Sequence, residues 1–181
     1  IATGGTGGHV FPAYSLAKYF LSKKISVKLI SDKRGYKFLK NYSELDLKII
    51  DSDTIFKKNP IRIIISLIVI IFALIRSFIY LVFNRPQIVF GMGGYSSFPI
   101  CIASKILGIP FVIYENNLLL GKANKYLLPL AKKIFISYRE IIGVKKSHEE
   151  KIFISGNIIR QEILDFLPQK TNRDKENLKI L

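Results

Sequence analysis

IATGGTGGHVFP, residues 1 to 12, places four glycines at positions 4 to 8, then a histidine and, at 12, a proline. Ordering glycine costs more backbone entropy than ordering any other residue, so so dense a run implies a backbone that must come close to something. Pro12 suits the first turn of a helix, where its missing N–H costs nothing. Beyond it Ala13, Leu16, Ala17, Phe20 and Leu21 recur at helical spacing. The stretch reads as a strand end, a glycine loop and a helix.

The same grammar continues. Strands are predicted at 25–31 (ISVKLIS), 86–90 (PQIVF), 109–114 (IPFVIY), 132–137 (KKIFIS) and 151–155 (KIFIS). Helices fall at 99–107 (PICIASKIL), 124–131 (NKYLLPLA) and 158–167 (IIRQEILDFL). Short apolar strands alternating with helices imply parallel pairing through right-handed crossovers. Strands apolar throughout imply a sheet covered on both faces. The expected fold is α/β, a Rossmann-like parallel sheet with helices on both faces. Residues 1–167 form the domain, and 168–181, with the polar run QKTNRDKEN, read as a linker and the start of a further domain. Both ends look cut: Ile1-Ala2-Thr3 is short for a first strand, and NLKIL stops as an apolar run begins.

Composition bounds the chemistry. Hydrophobic residues make up 49% of the 181, as in a globular chain. The single cysteine, Cys101, lies in an apolar run, which excludes an intrachain disulfide and fits a reducing compartment. Twenty-eight basic against 13 acidic residues give a net charge of +15, which favours anionic partners. A solvated lysine surface explains the same excess. The first residues are small and glycine-rich rather than basic and then apolar, unlike a secretory leader.

The opening loop has an echo. Gly91-Met92-Gly93-Gly94-Tyr95-Ser96-Ser97-Phe98-Pro99 repeats the order of strand, G-x-G-G, ring, Phe-Pro and helix. In a parallel sheet both loops lie at the carboxyl ends of strands, where open α/β sheets bind ligands. Glycine there lets backbone N–H groups approach phosphate oxygens beside a helix N-terminus. Neither loop is G-x-x-x-x-G-K-[ST], and position 10 is Val10 where G-x-G-x-x-G needs glycine. Tyr114-Glu115-Asn116-Asn117 and Ser155-Gly156-Asn157-Ile158-Ile159-Arg160 follow two further strands.

Taken in order, GGTGGHVFPA, GMGGYSSFP, YENNLLLGKAN and GNIIR resemble the MurG family of cytoplasmic N-acetylglucosamine transferases. The resemblance spans nearly the whole chain. It implies the N-terminal half of a GT-B enzyme, built from two Rossmann-like domains, in peptidoglycan synthesis. It further implies inverting, metal-independent transfer of GlcNAc from UDP-GlcNAc to the muramoyl sugar of undecaprenyl-pyrophosphoryl-MurNAc-pentapeptide, with no cofactor. By motif, Thr6, Gly7, Gly8, Asn117 and Arg160 would contact UDP-GlcNAc. Gly93, Gly94, Tyr95 and Ser96 would hold the acceptor pyrophosphate. Two departures stand out: the family usually has His-Glu-Gln-Asn where this chain has Tyr114-Glu115-Asn116-Asn117, and a glycine near Phe98.

Inversion requires a base that takes the acceptor hydroxyl's proton as it attacks opposite the leaving UDP. Imidazole ordinarily titrates near cytoplasmic pH, so His9 suits the task, and Glu115 is the reserve base. A purely structural His9, fixing the loop's shape, is the competing reading. His148, in the charged KKSHEE, reads as a bystander. Two histidines and one cysteine show no metal-ligand spacing.

Residues 61–83, IRIIISLIVIIFALIRSFIYLVF, are long enough to span a bilayer, but Arg76 is costly deep in hydrocarbon. On a helical wheel Arg62, Ser66, Ala73, Arg76, Ser77 and Tyr80 share one stripe about 100° wide, and the rest is apolar. One apolar face is expected to cover the sheet and another, with Ile64, Ile68, Ile71, Phe72, Ile75 and Arg76, to meet an anionic membrane surface. A fully buried core helix is the alternative. The expected location is peripheral, on the cytoplasmic face of the bacterial inner membrane. No nucleic-acid partner is expected, since no basic stripe interleaved with aromatics is evident. Rival functions are another GT-B glycosyltransferase with a lipid-linked acceptor and a non-catalytic basic binding module.

Overall fold

A computed structural model describes residues 1–55, 57–160, 163 and 165. Half of the expected helix at 158–167 falls outside these residues, and the linker at 168–181 wholly so. Eleven strands and α-helices follow one another: α1 (Gly7–Ser22), β1 (Lys28–Ser31), α2 (Lys33–Leu39), β2 (Asp46–Ile49), α3 (Pro60–Phe83), β3 (Val89–Gly91), α4 (Phe98–Ile106), β4 (Phe111–Glu115), α5 (Lys122–Leu127), β5 (Ile134–Ile136) and β6 (Ile152–Ile154). Single 3-10 turns lie at Tyr95–Ser97 and Lys146–Lys151.

Every strand pairing is parallel: β2 lies beside β1, and β3, β4, β5 and β6 follow in that order. The opening residues join the two groups. Ala2 pairs with Ile30 of β1 on one side and Gly91 of β3 on the other. Ala2 N–H donates to Phe90 O at 2.7 Å and Thr3 N–H to Ile30 O at 2.9 Å. Three residues thus occupy the middle of a continuous sheet, which sends the glycine loop out of its centre.

Side chains alternate across that sheet with period two. Phe111 and Ile113 of β4 and Ile134 and Ile136 of β5 point into the core shared with α3, α4 and α5. Tyr114, Phe90 and Phe135 serve the opposite layer, where Val10, Ala13, Tyr14 and Ala17 of α1 and Leu39 of α2 pack. Both faces are covered, as the unbroken apolar strands require. Cys101 is buried in the first layer, and burial pushes its thiol up to about 12.

Two elements escape the sequence pattern, α2 and β2. The first is seven residues long. The second reads DLKI and is mostly exposed, an edge strand without an apolar signature.

The orientation of α3 corrects an expectation. Its buried residues are Ser66, Ala73, Ser77 and Leu81, with Leu74 and Tyr80 packed on the same core. The stripe of small residues and its immediate apolar neighbours, not the broad isoleucine-rich face, therefore turns inward against α4. Small side chains let two helix backbones approach, and Ser66 satisfies its hydroxyl on Arg62 O at 2.6 Å and Asp53 Oδ2 at 3.1 Å. Asn59 caps the helix by accepting from Ile61 and Arg62 N–H. The apolar faces remain outward: Ile64 is 58% exposed and Phe72 59%.

Candidate functional site

Because every strand runs the same way, the loops after Thr3, Ser31, Gly91 and Glu115 open onto one edge of the sheet. Gly5 and Gly93 adopt the left-handed region, at φ +81° and +85°, which only glycine tolerates readily. The two glycine loops touch. A Cβ built on Gly4 would stand 2.5 Å from Ser96 Oγ, and one on Gly94 would stand 3.4 Å from Gly4 O.

His9 lies where they meet. A Cβ on Gly93 would come within 2.9 Å of its Cε1 and Nδ1, so the ring rests on glycine backbone. It is half-buried, and among the described residues no hydrogen bond engages the imidazole. Thr6 caps α1 through its carbonyl, which accepts from His9 and Val10 N–H. Gly7 and Gly8 open that helix, and the amides of Gly7, Gly8, Gly93 and Gly94 have no hydrogen-bond partner among the described residues. Those donors can meet an anion beside the positive end of a helix of 16 residues. Phe98, the bulky departure after the second loop, packs against the core around α4.

Glu115 has surroundings unlike those of a reserve base. It is 2% exposed. Its Oε1 accepts from the backbone and side-chain amides of Asn117, and its Oε2 from Gly121 N–H and Asn124 Nδ2, at 2.8–3.1 Å. A carboxylate with four donors shapes the loop and fixes Asn117. Asn116, which the sequence reading left without a role, donates from Nδ2 to Gly8 O at 2.9 Å and so ties this third loop to the first.

Tyr114, at the position of the family's histidine, is buried between layers. Its hydroxyl pairs with Ser137 Oγ at 2.8 Å and accepts from Ile158 N–H at 3.1 Å. The phenol thereby anchors the GNIIR segment, whose Arg160 guanidinium stands 4.3 Å above the Phe11 ring, one turn along α1 from the opening loop. His148 sits in the 3-10 turn before β6, at the amino end of that strand and opposite the glycine loops.

Asp32 is the residue the sequence reading missed. It follows β1 and is 3% exposed. Oδ1 accepts from Gly5 N–H at 3.0 Å and Gly35 N–H at 2.8 Å, while Oδ2 accepts from Ser96 Oγ at 2.9 Å and Arg34 Nε at 3.0 Å. Burial works to raise its pKa, but the bonds from Gly5, Gly35, Ser96 and Arg34 outweigh it and hold the carboxyl below its ordinary value. Ser96, expected at the acceptor pyrophosphate, is buried with its hydroxyl on this carboxylate. An aspartate just past an apolar strand was the available signal.

Comparison with known proteins agrees with this architecture. Residues 1–136 match the glycosyltransferase family 28 N-terminal domain. The UDP-N-acetylglucosamine--N-acetylmuramyl-(pentapeptide) pyrophosphoryl-undecaprenol N-acetylglucosamine transferase of Pelagibacter ubique is 34% identical over the whole chain and 50% of its own length. Its Rickettsia felis counterpart is 33% identical over 98% of the chain and 49% of its own length. The chain thus spans about half the length of the curated relatives it matches. Among solved structures, Acinetobacter baumannii MurG superposes with a TM-score of 0.66 at 27% identity, over 79% of this chain and 42% of that one. S. aureus MnaA with UDP, at 14% identity and a TM-score of 0.63 over 86% of this chain and 42% of that one, shares the fold. The chain belongs to glycosyltransferase family 28 and carries that family's N-terminal domain.

Proposed function

We propose that this chain is the N-terminal half of an inverting GT-B transferase that moves GlcNAc from UDP-GlcNAc to the muramoyl 4-hydroxyl of undecaprenyl-pyrophosphoryl-MurNAc-pentapeptide. The observation that carries the reading is the meeting of two glycine loops around His9, where the amides of Gly7, Gly8, Gly93 and Gly94 lack a partner among the described residues. His9 takes the proton of the attacking hydroxyl. The amides of Gly7 and Gly8, the N-terminus of α1 and the Arg160 guanidinium offset charge on the departing diphosphate, with Thr6 beside them. Asn117, held by Glu115, contacts the donor sugar side. Gly93, Gly94 and Tyr95 face the acceptor pyrophosphate.

The same polypeptide sits at the cytoplasmic face of the inner membrane. Ile64, Ile68, Ile71, Phe72 and Ile75 form an exposed apolar face on α3, and Arg76 is exposed among them. The helix is long and apolar enough to cross a bilayer, but its small-residue stripe packs against α4, which favours lying in the interface with basic residues toward anionic headgroups.

The test joins this domain to its C-terminal partner domain and supplies radiolabelled UDP-GlcNAc with the muramoyl lipid or with an unrelated polyprenyl-linked sugar. Transfer to the muramoyl lipid alone supports the assignment. Transfer only to the other acceptor replaces it with the second reading, a glycosyltransferase of different lipid specificity.

A further inference from the structure

Asp32 belongs to none of the expected contacts, yet its carboxylate is bonded to both glycine loops. One side of it holds Gly5 N–H and the N-terminal turn of α2 through Gly35; the other holds Ser96, 64 residues away, at 2.9 Å. Arg34 closes the solvent side, with Nη2 also 3.0 Å from Oδ2. The fit leaves no slack, since a Cβ on Gly4 would stand 2.7 Å from Asp32 Oδ1 and 2.6 Å from Ser96 Cβ.

We propose that Asp32 is a positioning residue for sugar transfer, its buried carboxylate bonding the first glycine loop to the second through Ser96 so that donor-side and acceptor-side contacts are presented as one unit. This rests on the functional reading above. It also gives Ser96 a different part from direct contact with the acceptor pyrophosphate: its hydroxyl is the far end of the clamp. A buried charge-assisted bond between loops restrains both more strongly than a neutral contact would. Transfer needs the two substrates aligned within a narrow geometry, and a loosened loop misplaces both.

Ser96→Ala cuts the clamp while leaving the bonds of Asp32 to Gly5 and Gly35 in place. In the two-domain enzyme it is expected to raise KM for UDP-GlcNAc and for the lipid acceptor together, each about three- to tenfold, with a smaller change in kcat. Asp32→Asn is expected to move both further in the same sense. A rise in acceptor KM alone would make the serine a ligand contact and overturn the proposal. A fall in kcat with both KM values unchanged would reduce Asp32 to general stability and overturn it equally. Should Asp32→Asn fail to fold, the serine variant decides. Amide hydrogen exchange on the Ser96→Ala protein reads the clamp without any reaction. Faster exchange in both 4–8 and 93–97 supports it, whereas a change in one loop or neither refutes it. If the wild-type enzyme transfers no GlcNAc, the functional reading fails and the exchange result still judges the clamp.

Discussion

His9 rests its ring on Gly93 and Gly94, where any side chain at 93 would displace it. If it is the base proposed above, its loss should act on the chemical step. His9→Ala in the two-domain enzyme is expected to lower kcat about 10²- to 10⁴-fold with little change in KM for UDP-GlcNAc, measured by steady-state transfer. A loss of only a few-fold would make the ring structural. Asp32 gives a second expectation, in pH. Its carboxyl is held below the ordinary 3.8, so its contribution to stability is complete above that value and is lost as pH falls through it toward the folded-state value. Asp53 is depressed too: its burial is outweighed by bonds from Lys57, Thr54 and Ser66, so it adds to the same acid limb. These two carboxyls should make the urea midpoint fall below about pH 5, and Asp32→Asn should make that fall shallower.

At the scale of the element, α3 separates packing from surface. Ala73 is buried in the seam with α4, and Ala73→Leu should overpack it and cost about 1–3 kcal/mol in urea unfolding. Ile68 and Ile71 face outward, so changing both to Glu should alter stability by only about 0.5 kcal/mol. The same pair should abolish flotation with anionic vesicles. Retained flotation would remove α3 from the membrane contact. The helix itself was plain in the sequence, as were most strands, because their apolar runs need no partner to be recognised. The inward face was not, since a wheel shows which residues share a stripe but not which stripe a neighbouring helix can approach. Edge strand β2 stayed hidden for a related reason: DLKI has one exposed side and no core to declare.

Across the whole molecule, the domain supplies both glycine loops, His9 and an exposed apolar face but spans half the length of its relatives. The isolated 181-residue polypeptide is therefore expected to float with anionic vesicles yet transfer no GlcNAc; turnover by it alone would show a complete donor site. By itself, the sequence determined the parallel α/β fold and the two glycine loops with His9 beside the first. Strand periodicity and glycine's permissive backbone are local properties, and local properties survive in a linear string. The tertiary structure alone decided what those loops touch. Ser96 reaches Asp32 across 64 residues, Asn116 reaches Gly8 across 108, and Tyr114 reaches Ile158 across 44. Each hydroxyl, amide or carboxylate could have met water or any nearby donor. Only sheet order brings these ends to one edge, where desolvation makes an unpaired polar group costly enough to fix its partner. The loop in IATGGTGGHVFP was legible from its glycines; that it is clamped to its echo was not.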